Sequence, residues 1–172
     1  MNIILIGFMA CGKTEVGKKL AAKLAMKYID VDETIEKTAG HSITDIFKQH
    51  GENVFRDIET KAIKCVAVLD HYVIATGGGA VLRSENVREL RSNGKLVYLA
   101  ASPEAISRRL GEAKTRPILA QESDKLKKIK ELLAHREQFY KECDFQVDTT
   151  FLNIDQVVDK IVAWYNGRVR KI

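Results

Sequence analysis

A chain of 172 residues, 45% of them hydrophobic, is sized for one domain with a substantial core. No apolar stretch approaches the roughly 18 residues of a membrane-spanning helix, and Cys11, Cys65 and Cys143 lack the spacing of a metal site or a disulfide framework. The net charge of +5 suits anionic ligands, but much of it lies in Lys125, Lys127, Lys128 and Lys130 and in Arg168, Arg170 and Lys171, which read as a solvated helix face and a frayed tail rather than a nucleic-acid surface.

The apolar run Asn2–Ile6 is the first predicted strand. With no basic start and no cleavage site before it, the chain is expected to lack a signal peptide and to work in a reducing cytoplasm. The strand leads into Gly7-Phe8-Met9-Ala10-Cys11-Gly12-Lys13-Thr14, a complete G-x-x-x-x-G-K-[ST] motif. A predicted helix, Lys13–Ala25, follows, with Val16, Leu20 and Leu24 at spacing four. Strand, loop and helix together give the motif a mechanism. Its glycines let backbone N–H groups curl around a phosphate at the positive end of the helix. Lys13 can reach β- and γ-phosphates, and the Thr14 hydroxyl can ligate Mg²⁺. Nucleoside triphosphate binding is the expectation.

The second strand, Tyr28–Val31, ends in Asp30-Val31-Asp32. In an extended segment these two carboxylates share a face, which calls for a cation or a donor between them. Asp32 also reads as the cap of a helix starting near Glu33. Helices are predicted over Asp32–Thr38, Ile43–His50 and Glu52–Leu69. Arg56, in the last of these, reads by spacing as a surface pair with Glu59.

Strand Tyr72–Thr76 ends in Gly77-Gly78-Gly79. Three glycines strip the strand end of side chains, so a ligand can touch the backbone. Helix Ser84–Asn93, strand Leu96–Ala100 and helix Pro103–Leu110 follow, the last with Ser102 as cap and proline at its first position. Arg108, Arg109 and Arg116 bracket a polar stretch that could fold over a triphosphate and exclude water. Asp124–Cys143 is a basic helix with Arg136 on its apolar stripe, beside Ile129 and Leu133. An anion to bind, an internal ion pair and a snorkelling stem are all open there. Strand Phe145–Asp148 and helix Ile154–Asn166 complete the chain. This alternation predicts an α/β fold, a parallel sheet covered on both faces, with ligands gathered outside the carboxyl ends of the strands.

Taken together, Gly7–Thr14, Asp30-Val31-Asp32, Phe55-Arg56-Asp57-Ile58-Glu59, Gly77-Gly78-Gly79, Arg116-Pro117-Ile118-Leu119 and Arg136 followed by Tyr140 resemble the shikimate kinase family of P-loop kinases, from about Asn2 to Tyr165. The resemblance implies a single domain over 1–172, a three-layer P-loop kinase fold with a five-stranded parallel sheet in the order 2-3-1-4-5. It also implies a lid at about 111–123 and a substrate-binding helical region at about 32–60. The implied reaction is transfer of the γ-phosphoryl group of ATP·Mg²⁺ to the 3-hydroxyl of shikimate.

The implied roles follow residue by residue. Lys13 neutralises charge on the transferring group, Thr14 ligates Mg²⁺, and Asp30 helps through water. Asp32 orients the attacking hydroxyl. Arg56 and Arg136 clamp the shikimate carboxylate, with Gly77, Gly78 and Gly79 beside it. Arg116 closes on the phosphates. Arg109 stacks on adenine near Asn153 and Ile154, and Ala10, Cys11, Gly12 and Glu15 complete the nucleotide site. Members are commonly monomers acting on small molecules, with neither nucleic acid nor membrane as partner.

Two departures stand out. The family usually has Gly-Ser or Gly-Ala where this chain has Ala10-Cys11, so the loop is expected to hold Ala10 in a conformation open to a Cβ. Cys11 reads as a small filler or as a low-pKa thiol. Glu15 stands where Ser or Thr often helps bind the α-phosphate, and there it must point to solvent. The competing readings are another small-molecule kinase, such as a gluconate kinase, and a nucleotide-binding regulatory module without turnover.

Overall fold

In the computed structural model, residues 1–111 and 124–169 are described. Five parallel strands form one sheet: β1 (Asn2–Ile6), β2 (Lys27–Asp30), β3 (Tyr72–Ala75), β4 (Gly94–Ala100) and β5 (Phe145–Asp148). Their order is β2-β3-β1-β4-β5, as the resemblance implied. β1 is entirely buried, as expected of the central strand of a sheet covered on both faces. Ile4 pairs with Ile74 on one side and Leu96 on the other. Leu99 pairs with Val147 toward one edge, and Ile29 with Ile74 toward the other.

Helices α1 (Lys13–Lys23), α2 (Val31–Ala39), α3 (Ile43–Ala67), α4 (Ser84–Ser92), α5 (Pro103–Leu110), α6 (Lys125–Lys141) and α7 (Ile154–Val169) connect and cover the strands. Their ends follow the expected chemistry. Ser42 and Ser102 accept from the backbone N–H groups of Asp45 and Ala105, and Asp124 caps α6 through Lys127 N–H. Gly51 divides α3 with φ 80° and ψ 174°, so the predicted break between Ile43–His50 and Glu52–Leu69 is real although the two pieces run on as one element. A short 3₁₀ turn, Ala80–Leu82, follows the triple glycine.

Three expectations are corrected. α2 begins at Val31, one residue after the strand, so Asp30 and Asp32 do not lie in one extended segment. Asp30, and not Asp32, is the cap, its Oδ1 accepting the Asp32 N–H at 2.9 Å. β4 starts at Gly94 rather than Leu96, because Asn2 of β1 pairs with Gly94.

Gly94 is also a packing constraint: a Cβ there would lie 2.8 Å from both the Leu90 carbonyl oxygen and Ile4 Cδ1. Gly94→Ala should therefore destabilise the protein by about 1–3 kcal/mol, through overpacking beside the central strand. Urea unfolding should show a lower midpoint with an unchanged slope.

Candidate active site

The phosphate loop is built by backbone geometry before side chains enter. Gly7 has φ 140°, and a Cβ there would meet the Leu99 carbonyl oxygen at 2.6 Å. Gly12, with φ 96°, caps α1 without a side chain. Lys13 folds back over the loop and donates to the carbonyls of Gly7 and Phe8, both at 2.8 Å, with Cys11 Sγ 3.6 Å from its Nζ. The ammonium is thus held at the centre of the loop, next to the first-turn N–H groups of α1 that have no intrahelical acceptor.

Ala10 has φ 59°, in the left-handed region that a residue with a Cβ adopts only at a cost. A left-handed residue with a side chain costs about 1–2 kcal/mol relative to the right-handed form, so the loop imposes this conformation against local preference. Cys11 is fully buried against the core, as a filler would be. Glu15 is exposed, at the rim of the cavities on either side of the loop.

Beyond Lys13, Thr14 and Asp30 converge. Thr14 Oγ1 donates to Asp30 Oδ2 at 3.3 Å, and the Tyr28 hydroxyl donates to the same oxygen at 3.1 Å. The Tyr28 ring lies against Gly17 of α1, where a Cβ would come within 2.5 Å of it. Burial, reinforced by the Asp30 carboxylate, pushes the Tyr28 hydroxyl well above its usual pKa, so it stays a donor. Thr14, Asp30 and Asp32 line one cavity with Lys13. A hydroxyl and two carboxylates are hard oxygen donors that fit Mg²⁺, an ion that keeps much of its shell for water and substrate phosphates.

On the other side of the loop, a cavity of about 510 Å³ is lined by Cys11, Gly12, Glu15, Arg109, Asn153 and Ile154. Arg109 is tied down by donating to Thr149 Oγ1 at 3.0 Å and to the Thr149 carbonyl. Asn153 is committed to capping α7: its Oδ1 accepts from Gln156 N–H while Gln156 Oε1 accepts from Asn153 N–H.

A third cavity opens between α2, α3 and the triple glycine, lined by Asp32, Arg56, Glu59, Arg136 and the glycines, with Phe47 and Phe55 as an apolar wall. Arg56 is 8% exposed and Glu59 is wholly buried. Arg56 Nη1 donates to Glu59 Oε2 at 2.7 Å, and Nη2 to Glu52 Oε1 at 3.0 Å. The sequence spacing had correctly paired Arg56 with Glu59, but the pair is a buried one. Burial alone would lower the Arg56 pKa; Glu59 and then Glu52 hold it above its ordinary value, so the guanidinium is charged. For Glu59, burial raises the pKa more than Arg56 pulls it down.

The glycines make room for these charges. A Cβ on Gly77 would meet Asp32 Oδ1 and Glu59 Oε1, both at 2.8 Å, and one on Gly79 would lie 2.3 Å from Arg56 Nη2. Arg136, 5% exposed, reaches inward from α6. Its guanidinium lies 5.7 Å from the Phe8 ring centroid, and Nη1 donates to the Gly78 carbonyl at 3.4 Å. Among the described residues no ion pair of Arg136 with a carboxylate is seen.

A family model for shikimate kinase matches residues 9–166. The chain belongs to the shikimate kinase family. It is 45% identical to a shikimate kinase of Caldanaerobacter subterraneus subsp. tengcongensis, over 95% of each chain. It is 46% identical to one of Caldicellulosiruptor bescii, over 99% of this chain and 98% of that one. The solved structure of shikimate kinase from Acinetobacter baumannii in complex with shikimate superposes with a TM-score of 0.93 at 33% identity, covering 97% of this chain and 93% of that one. As a member of the shikimate kinase family the protein is a phosphotransferase, and the family uses ATP as phosphoryl donor.

Within that family frame, Arg116 and nearly all of the expected lid at 111–123 lie outside the described residues. The other expected residues are brought to the three cavities around the phosphate loop. Sequence reasoning gave no role to Tyr28, named Glu59 only as a surface partner of Arg56, and named Tyr140 only as part of the family pattern. Glu59 carried a usable signal, an acidic residue on the buried stripe formed by Phe55 and Ile63. Tyr28 carried none, since its hydroxyl finds Asp30 only because its ring packs on α1.

Because Gly79 has no room for a Cβ beside Arg56, Gly79→Ala should displace the guanidinium. The expected outcome is a shikimate KM raised about tenfold or more, the loss of one charge-assisted hydrogen bond. The ATP KM should be little changed, since Gly79 lines neither of the other two cavities around the phosphate loop.

Proposed function

We propose that the three cavities form one kinase centre, in which the γ-phosphoryl group of ATP passes to the 3-hydroxyl of shikimate to give shikimate 3-phosphate and ADP. The observation that carries this reading is the pair of buried guanidinium groups, Arg56 and Arg136, facing one cavity beside Asp32 and the triple glycine. Two inward cations and an aromatic wall suit a carboxylated alicyclic ring, and guanidinium geometry suits bidentate carboxylate capture. A gluconate would present a carboxylate without the ring that Phe47 and Phe55 would cover.

In this reading the phosphates of ATP lie along residues 7–14, and adenine lies in the cavity beside Arg109, Asn153 and Ile154. Lys13 neutralises charge on the transferring group; Arg116 is proposed to close on it from the lid. Mg²⁺, when bound, would supply charge stabilisation at the β- and γ-phosphates, with Thr14 as ligand and Asp30 acting through water. Asp32 hydrogen-bonds the 3-hydroxyl and accepts its proton as the new O–P bond forms and the bond to the ADP oxygen breaks. Positioning and fixed charge carry most of such a reaction. Action as a monomer on a small-molecule substrate is part of the proposal. No helix among the described residues is long and apolar enough to cross a membrane, and a cytoplasmic enzyme with no nucleic-acid or membrane partner is the proposed setting.

ADP release from ATP·Mg²⁺, measured with shikimate, gluconate, AMP or no acceptor, tests the assignment: release should depend on shikimate. Release with another acceptor would redraw the acceptor site, and none with any acceptor would favour a regulatory module. Arg136→Ala should raise the shikimate KM by about 10- to 100-fold, from the loss of one or two charge-assisted bonds, and leave ATP affinity nearly intact. Loss of ATP affinity with normal shikimate affinity would place α6 in the wrong site.

A further inference from the structure

Tyr140 lies one helical turn beyond Arg136 on α6 and is completely buried. Its ring stacks on Tyr98 of β4, with centroids 5.0 Å apart and planes 20° from parallel. Its hydroxyl donates to the Gly78 carbonyl, the oxygen that also accepts from Arg136. Gly78 itself packs against the phosphate loop, since a Cβ there would lie 3.3 Å from Met9 N and 3.5 Å from the Gly7 carbonyl oxygen. One buried hydroxyl therefore joins α6, the triple glycine and, through Gly78, the loop that carries Lys13.

The bond has two consequences. A peptide unit is planar and trans, so fixing the Gly78 carbonyl toward α6 turns the Gly79 N–H away from α6. Gly79 is also the glycine that borders the Arg56 guanidinium. The second consequence concerns Arg136. A buried carbonyl needs a donor. With Tyr140 meeting that need, Arg136 makes a long, 3.4 Å contact with the carbonyl and also approaches the Tyr140 hydroxyl as a donor. Its other N–H donors can serve an anion in the cavity.

We infer that Tyr140 is a positioning residue for the acceptor substrate: it holds the Gly78–Gly79 peptide in place and keeps the Arg136 guanidinium available to the shikimate carboxylate. Burial raises the Tyr140 pKa against the opposing charge of Arg136, so the hydroxyl keeps its proton at neutral pH. This inference rests on the assignment of Arg136 to the carboxylate, and the test separates the two.

Tyr140→Phe removes the hydroxyl and keeps the ring stacked on Tyr98, so the fold is retained and a melting curve verifies it. Shikimate and ATP dissociation constants are then measured by calorimetry, beside kcat and both KM values, for wild type, Tyr140→Phe and Arg136→Ala. The expected result for Tyr140→Phe is a shikimate Kd and KM raised about three- to tenfold, the effect of one hydrogen bond. kcat at saturating shikimate and the ATP constants should hold within about twofold, an allowance below the smallest one-bond effect. An unchanged shikimate constant overturns the inference. So does a parallel loss for both substrates with a lower melting temperature, the signature of a purely structural tyrosine. If Arg136→Ala weakens shikimate binding and Tyr140→Phe does not, only the role of Tyr140 fails. If Arg136→Ala binds shikimate normally, the carboxylate assignment itself fails.

Discussion

Parallel pairing of β1 with both β3 and β4 is the constraint on which the rest of the molecule depends. Because all strands run the same way, every carboxyl end opens on one side of the sheet, and the residues just past each strand must meet there. Gly7 and Lys13 leave β1, Asp30 leaves β2 and Gly77 leaves β3 within that space. Placing β3 beside β1 makes the triple glycine touch the phosphate loop, through the close approach of Gly78 to Met9 and Gly7. Thr76 extends that contact, with its N–H and its Oγ1 both donating to the Leu5 carbonyl.

The second principle is the burial of charge. Arg56 and Arg136 sit in the interior, where a guanidinium loses most of its hydration. Arg56 is supported by Glu59 and Glu52, and breaking such a buried pair by removing one partner costs about 3–5 kcal/mol. Arg136 has the Phe8 ring, a long contact to a carbonyl and the Tyr140 hydroxyl, a poorer replacement for water. A carboxylate arriving between the two arginines would complete both environments at once. Binding and folding therefore draw on the same electrostatics, and the site is prepared for an anion before one arrives.

Local strain marks the phosphate loop. Ala10 is left-handed although it carries a Cβ, and Gly7 and Gly12 adopt φ values that suit only glycine. Cys11 is buried beside them. A loop that gives up local preference at Ala10 is one whose shape is dictated by its ends, strand β1 and helix α1, and by the lysine that threads it. The cavity proposed for the nucleotide borders this loop, with Arg109 held against Thr149.

The sequence by itself determined the elements and their chemistry. Hydrophobic runs gave the strands, spacing of apolar residues gave the helices, and the glycine-lysine motif between Ile6 and Val16 specified a phosphate site. It also supplied Asp30, Asp32 and the triple glycine as features at strand ends, because those residue types are local signals. What it left open were the long-range pairings. Spacing allowed Arg56 to be a surface pair and Arg136 to snorkel or pair internally; the packing of α3 and α6 against the glycine turn decided that both are buried and face one cavity. Asp30 as the cap of α2, Tyr28 bonded to Asp30, and Tyr140 bonded to Gly78 were likewise decided only in three dimensions. The first two are contacts between near neighbours, set by where β2 gives way to α2 and by the packing of the Tyr28 ring on α1; the third spans 62 residues and depends on the docking of α6 against the glycine turn.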